Sequence, residues 1–193
     1  MNNSDSPTVV IVPGLRDHVA DHWQTLLAEK LDKVVTVAPL EHDKLSLSAR
    51  VAALDHVLSE VSGPVVLVAH SAGVMITVHW AALHDRPVQG ALLAAPPDFS
   101  TPLPEGYPAR EDLDSNGWNP TPLQPLPFPS TVVASHNDPL ASYERVVELA
   151  EAWGSKLVDA GNVGHLNPAS GFGYWPQAEE LVEDLIRETA VLG

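Results

Sequence analysis

Three residues have the types and the chain order that nucleophilic acyl transfer needs: Ser71, then Asp138, then His165. A serine hydroxyl is a weak nucleophile until a base takes its proton. The base in turn needs an acid behind it to hold the right tautomer. Ser71 stands in Ala69-His70-Ser71-Ala72-Gly73, directly after the apolar run Val65-Val66-Leu67-Val68 and before a helical pattern. A strand that turns sharply on one Ser between small residues lifts the hydroxyl clear of the sheet. The same turn aims the first N–H groups of the next helix at the place where an oxyanion would form. Ala69 stands where the usual G-x-S-x-G string has Gly, a departure of one methyl group. By itself the string also fits a plain turn after a buried strand.

The other two members leave later apolar runs. Asp138 lies in Ser135-His136-Asn137-Asp138-Pro139, and His165 closes Gly161-Asn162-Val163-Gly164-His165. Singly, Asp138 also reads as an Asx turn or a cap before Ser142-Tyr143, and His165 as a loop histidine. All three in this order, each after a strand, fit the chemistry better than three separate accidents do. Asp98, one strand earlier, is the rival acid. The loop Pro13-Gly14-Leu15-Arg16 is expected to bring the Leu15 amide beside that of Ala72 as a second oxyanion donor, with Gly14 permitting the close approach. Arg16 reads either as a binder of a substrate carboxylate or as a solvated side chain. His70 is expected in the site with its ring turned from the hydroxyl. His22-Trp23 and His136 are candidates for the surroundings. The nine histidines show no H-E-x-x-H or similar spacing, so neither a metal nor a cofactor is expected.

Alternating strand and helix patterns position these residues. Val9–Val12, Val34–Val37, Val65–Val68, Gly90–Ala94, Thr131–Ala134 and Lys156–Val158 read as strands. Between them fall helical stripes: Trp23, Leu26, Leu27 and Leu31; Val51 to Val61 after Ser48; Val74–Leu83; Tyr143–Trp153. A last amphipathic stripe carries Ala178, Leu181, Val182, Leu185 and Ile186. About six continuous apolar strands separated by helices predict a mainly parallel sheet covered on both faces, a three-layer α/β domain spanning 1–193. Ligands of such sheets bind outside the carboxyl ends of the strands, where every candidate above lies.

Pro96–Pro129 breaks the alternation. It holds ten of the chain's 18 prolines, with Phe99, Tyr107, Trp118 and Phe128 among them. The prolines deny a helix or central strand there. The segment at 96–130 reads either as a surface connection or as an ordered loop over the site, with Phe99 and Trp118 lining the pocket.

A net charge of −15 speaks against nucleic acid or an anionic membrane as partner. Cysteine is absent, which excludes a disulfide framework and a thiol nucleophile. No apolar run approaches membrane-spanning length, and Met1–Pro7 has no leader pattern, so a cytoplasmic location is expected.

With these residues in hand, the chain resembles the YdeN-like serine hydrolases, the group that includes retinoblastoma-binding protein 9. The matching pieces run from Val12-Pro13-Gly14-Leu15 and His22-Trp23-Gln24 through the Ser71 and Asp138 strings. They continue through Leu126–Ser130 and Ala152-Trp153-Gly154 to Gly164-His165-Leu166-Asn167 and Gly171–Pro176. The resemblance implies a reduced α/β-hydrolase fold without the first two strands and without a separate cap domain. It also implies Ser71, Asp138 and His165 as the triad. The expected activity is hydrolysis of small carboxylic esters or related acyl substrates through an acyl-enzyme. A peptidase or amidase on the same triad, or a non-catalytic module binding a protein partner through the proline-aromatic segment, are the alternatives.

Overall fold

A computed structural model describes residues 6–190; the leader reading of Met1–Pro7 falls mostly outside them. Six strands form one parallel sheet in the order β2-β1-β3-β4-β5-β6. They are β1 (Thr8–Val12), β2 (Val34–Thr36), β3 (Val65–His70), β4 (Gly90–Ala94), β5 (Ser130–Ala134) and β6 (Lys156–Asp159). Alternate residues of each strand face two separate cores, which is why the central strands are apolar without interruption. Val10, Leu67, Leu93 and Val132 face one core with α2 (Leu47–Glu60), α3 (Ala72–Leu83) and α5 (Tyr143–Trp153). Val9, Val66, Leu92 and Val133 face the other with α1 (Trp23–Ala28) and α6 (Pro176–Ala190). The two edge strands are short and half exposed. Helix α1 stops earlier than its apolar stripe suggests. Past Ala28 the chain tightens into turns in which Lys30 and Leu31 donate to carbonyls three residues back.

The strand order reverses between β1 and β3, so the connections leave these two strands in opposite directions and open a crevice at their carboxyl ends. Ser71 ends β3 at that crevice and the Pro13–Arg16 loop ends β1 beside it. Gly73 sets how closely α3 approaches β1. A Cβ built there would stand 2.1 Å from the Val12 carbonyl oxygen, so only glycine fits. The other small flank is less demanding. Ala69 sits fully buried in β3, paired with Val12 and Leu93.

The proline-rich segment departs from expectation in two ways. It contains a short helix, α4 (Arg110–Ser115), in the window between Pro108 and Pro120 that proline leaves free. And Trp118 is a core residue rather than a pocket wall. It is fully buried in the α2/α3/α5 core, edge-on to Phe99 at 5.3 Å, and its indole N–H donates to the Leu45 carbonyl at 2.7 Å. The Trp153 indole likewise donates to the Pro122 carbonyl at 2.8 Å, and the Leu126 amide to the Trp153 carbonyl at 2.9 Å. These bonds seal the core edge that α5 leaves open, so the back half of the segment is structural. Its front half, with Phe99, Leu103 and Tyr107, faces the crevice.

Gly73→Ala should lower stability by at least the ~1–3 kcal/mol typical of overpacking, because backbone rather than a flexible side chain must move. Urea unfolding of the two proteins, with Ala69→Gly as a mild comparison, measures it.

Candidate active site

Ser71 occupies φ 55°, ψ −124°, a backbone region that costs a non-glycine residue about 1–3 kcal/mol. Neighbouring bonds hold it there: its N–H donates to the Ala94 carbonyl at 3.0 Å, and its own carbonyl accepts from Val74 N–H at 2.9 Å. The turn leaves Oγ 2.7 Å from Nε2 of His165. On the far side of that ring, Nδ1 lies 3.0 and 2.9 Å from the two carboxylate oxygens of Asp138. A carboxylate only accepts, so Nδ1 carries the imidazole proton and Nε2 presents its lone pair to the Ser71 hydroxyl. The three side chains thus form one hydrogen-bonded line. The side chains of His165 and Asp138 are 6% and 1% exposed, so water competes little with either bond. Asp138 also accepts from the Leu140 amide at 2.9 Å. The rival Asp98 is engaged elsewhere, accepting from the amide and hydroxyl of Ser100 and facing Arg145 at 3.7 Å.

Two sets of contacts hold the His165 loop; the sequence pointed to His22 and His70, which make the second, but not to Ser135 and Asn137, which make the first. From the β5 side, the Asn137 side-chain oxygen accepts from Gly164 N–H at 2.7 Å and from the Ser135 hydroxyl at 3.0 Å. The Ser135 oxygen in turn accepts from Val163 N–H at 3.2 Å. The string around Asp138 therefore supplies both a carboxylate and a brace for its partner's loop. His136 plays no part in this. Its ring is exposed, stacks on Tyr143 at 3.9 Å and donates to Asp159 at 2.7 Å.

From the α1 side comes a chain of neutral histidines. His70 Nε2 lies 2.7 Å from the His165 carbonyl oxygen, which can only accept, so that nitrogen carries the proton. His70 Nδ1 is then an acceptor, and His22 Nε2 donates to it at 3.2 Å. His22 Nδ1 accepts from Gln24 N–H at 3.1 Å, which is also its cap on α1. Every ring nitrogen has one role and one partner. Charging either ring would put two donors face to face. Burial, with His165 close by and only Asp21 opposing, pushes His22 down to about 4. Burial, then His165 and His22, also lowers His70 well below the usual histidine range. Gln24 completes the group by donating to the Val12 and Val68 carbonyls, at 3.2 and 3.0 Å, where β1 and β3 diverge.

Gly14 lies against the elbow, with Ser71 Cβ and the Ala72 amide nitrogen within 3.8 Å of where its Cβ would be. Arg50 on α2 fastens the rest of that loop. Its buried guanidinium pairs with Asp17 and donates to the Leu15 carbonyl at 3.4 Å, while its Nε donates to Lys44 O at 2.8 Å. Among the described residues, the Leu15 and Ala72 amides donate to no protein acceptor. A pocket of about 270 Å³ opens above Ser71, walled by Leu15, Phe99, Leu103 and Tyr107 and bordered by Arg16 and Asn167. His70 and Gly14 also reach it; Trp118 does not. Among the described residues, no His/Cys/Asp/Glu group could hold a metal ion, and no helix is long and apolar enough to cross a membrane.

The depressed pKa of His22 makes stability pH-dependent. The unfolded chain takes up the proton near 6.5 and the folded one only near 4, so the stability is intact above 6.5 and falls as pH drops from 6.5 to 4. The loss amounts to about 3 kcal/mol at most, at 1.36 kcal/mol per unit. Urea midpoints at pH 7, 5.5 and 4 should fall less steeply for His22→Gln than for the unaltered protein.

Serine hydrolases as a family match this chain over residues 9–184. Among solved structures, a YdeN-like hydrolase from Pectobacterium atrosepticum superposes with a TM-score of 0.78 at 29% identity, covering 97% of this chain and 92% of that one. The ydeN gene product of Bacillus subtilis superposes with a TM-score of 0.72 at 19% identity, covering 94% of this chain and 100% of that one. Est1E from Butyrivibrio proteoclasticus has the same fold at 14% identity and a TM-score of 0.71, with 98% of this chain and 90% of that one covered. No curated protein matches the chain. A six-stranded parallel sheet, a sharp turn on Ser71 between β3 and α3 and a family match over nearly the whole length lead to one conclusion: this chain belongs to the serine hydrolase family and has the α/β-hydrolase fold.

Proposed function

We propose that the protein hydrolyses small carboxylic esters or related acyl compounds through an acyl-enzyme on Ser71. The observation that carries this reading is the unbroken line Ser71 Oγ, His165 Nε2, His165 Nδ1, Asp138, with both contacts at hydrogen-bond length. His165 takes the hydroxyl proton as Oγ attacks the substrate carbonyl carbon. The carbonyl oxygen becomes an oxyanion and is met by the free amides of Leu15 and Ala72, at the N-terminus of the 12-residue helix α3. The imidazolium, stabilised by Asp138, passes its proton to the leaving alcohol as the carbon–oxygen bond breaks. Water then repeats the sequence: His165 accepts its proton, the hydroxide oxygen attacks the acyl carbon, and Ser71 leaves reprotonated with release of the acid.

The size and lining of the pocket favour a small acyl group over an extended peptide, since about 270 Å³ walled by Phe99, Leu103 and Tyr107 holds a short chain. A purely binding role for the fold gives no account of a strained Ser71 aligned with a buried His–Asp pair. No cofactor enters this chemistry.

A fluorophosphonate probe should label the protein once, at Ser71, and Ser71→Ala should abolish labelling without unfolding the chain. Asp138→Asn should cut turnover of a p-nitrophenyl ester roughly 10⁴-fold by favouring the wrong imidazole tautomer. Asp98→Asn should be far milder; the reverse ranking would move the acid to the end of β4.

The pocket walls give a second expectation. Tyr107→Ala should raise KM and shift the preferred acyl length in a graded ester series, with little change in Ser71 labelling. Trp118→Ala should instead lower stability by ~3–5 kcal/mol, as for other buried aromatics, and leave the length preference where it was.

A further inference from the structure

Arg16 is the unassigned cation of the pocket. It lies one residue past Leu15 in the loop that ends β1, and it borders the same pocket as Ser71 and His165. Its guanidinium carbon stands 5.8 Å from the centre of the Tyr107 ring, so the side chain rests along the pocket wall. Among the described residues no carboxylate lies within ion-pairing distance of it. The nearest in sequence, Asp17, is taken by the buried guanidinium of Arg50. Arg50 also donates to the Leu15 carbonyl, which fixes the backbone on one side of Arg16. Among the described residues Asp17 is the only carboxylate bordering the pocket, and with it neutralised by Arg50 the unmatched charge at the rim is that of Arg16.

A guanidinium against an aromatic ring is restrained in position while its N–H edge stays free, and that edge matches a carboxylate with two parallel hydrogen bonds. The global field works the other way. A chain of net charge −15 repels anionic substrates, so any preference for one has to come from a local cation. From this geometry we propose that the substrate is an ester carrying a free carboxylate, which Arg16 holds at the rim while the ester carbonyl sits over Ser71. The proposal rests on the esterase reading above and adds the substrate class to it. The carboxylate belongs either to the acyl group, as in a half-ester of a dicarboxylic acid, or to the alcohol, as in an acylated hydroxy acid. Both present the same group to Arg16.

The test is a ratio. Monomethyl adipate is compared with methyl hexanoate for the acyl side, and butyryloxyacetate with ethyl butyrate for the alcohol side, each as kcat/KM at low salt. In the unaltered protein one charged ester should exceed its neutral counterpart about 10-fold, the scale of one charge-assisted contact. Arg16→Gln should bring that ratio to about one, and added salt should shrink it in the unaltered protein. A ratio of one or less in the unaltered protein, or one that survives Arg16→Gln, overturns the proposal while leaving the esterase reading in place. Hydrolysis of none of the four esters overturns the esterase reading. Calorimetry then decides Arg16 without turnover, using monomethyl adipate binding to Ser71→Ala. Affinity about 10-fold weaker on adding Arg16→Gln supports the contact, and equal affinity rejects it.

Discussion

The site depends on one close contact, that of helix α3 with the end of β1 at Gly73. With no room for a Cβ between that residue and the Val12 carbonyl, the helix can lie against the strand only because glycine is there. The approach fixes where α3 starts, and so forces the chain from β3 to turn within a single residue, Ser71, at positive φ. The strain is local and is offset by pairing on both sides: β3 along its whole length against β1 and β4, and α3 as an almost wholly buried helix. The same approach brings Gly14 against the elbow. One glycine therefore sets the position of the Ser71 hydroxyl and also the neighbourhood of two free amides.

Around that fixed point the remaining parts are tethered by hydrogen bonds between neutral groups. His165 lies six residues past the end of β6, in a loop where Gly164 and Leu166 both sit at positive φ. It is held from the β5 loop by Asn137 and Ser135 and from α1 by the His22–His70 chain. Neutrality matters here. On the proposed mechanism, an imidazolium buried beside His165 would repel the positive charge which that ring takes up from Ser71, and protonating His70 would put a donor where its Nδ1 has to accept from His22. Desolvation keeps both rings uncharged across the neutral range, so neither places a positive charge against His165.

The fold and the order of Ser71, Asp138 and His165 were readable in the sequence because both are written locally. Uninterrupted apolar runs mark strands buried on two faces, and a residue directly after such a run sits at the carboxyl edge whatever the rest of the chain does. Trp118 was misplaced for a related reason. Proline-rich composition signals a long connection but not which of its aromatics turn inward, and here the Leu45 carbonyl, 73 residues away, decides it. The braces were out of reach for the same cause. Ser135 and Asn137 look like turn residues, His70 is placed in the site without a partner for either ring nitrogen, and nothing local singles out Arg50. Each has its role only through partners 27 to 95 residues distant. The short helix α4 was hidden because the count of prolines across the whole segment masked a window that contains none.

The chain has few cations, and the two in the β1 loop region are used in opposite ways. Arg50 is withdrawn from solvent, with Asp17 and two carbonyls as partners, so its charge is spent on holding backbone. A buried guanidinium with all its main donors engaged is stable in one geometry and offers nothing to a ligand. Arg16 lies on the loop after β1 that Arg50 anchors from α2, yet is left exposed against a ring at the pocket mouth. Were Asp17 free, the two neighbours would neutralise one another and the rim would carry no net field. Because Arg50 takes Asp17, the loop that positions the Leu15 amide also leaves one positive charge beside the pocket. Shape, the placement of the Leu15 amide and surface charge thus follow from the anchoring of a single turn.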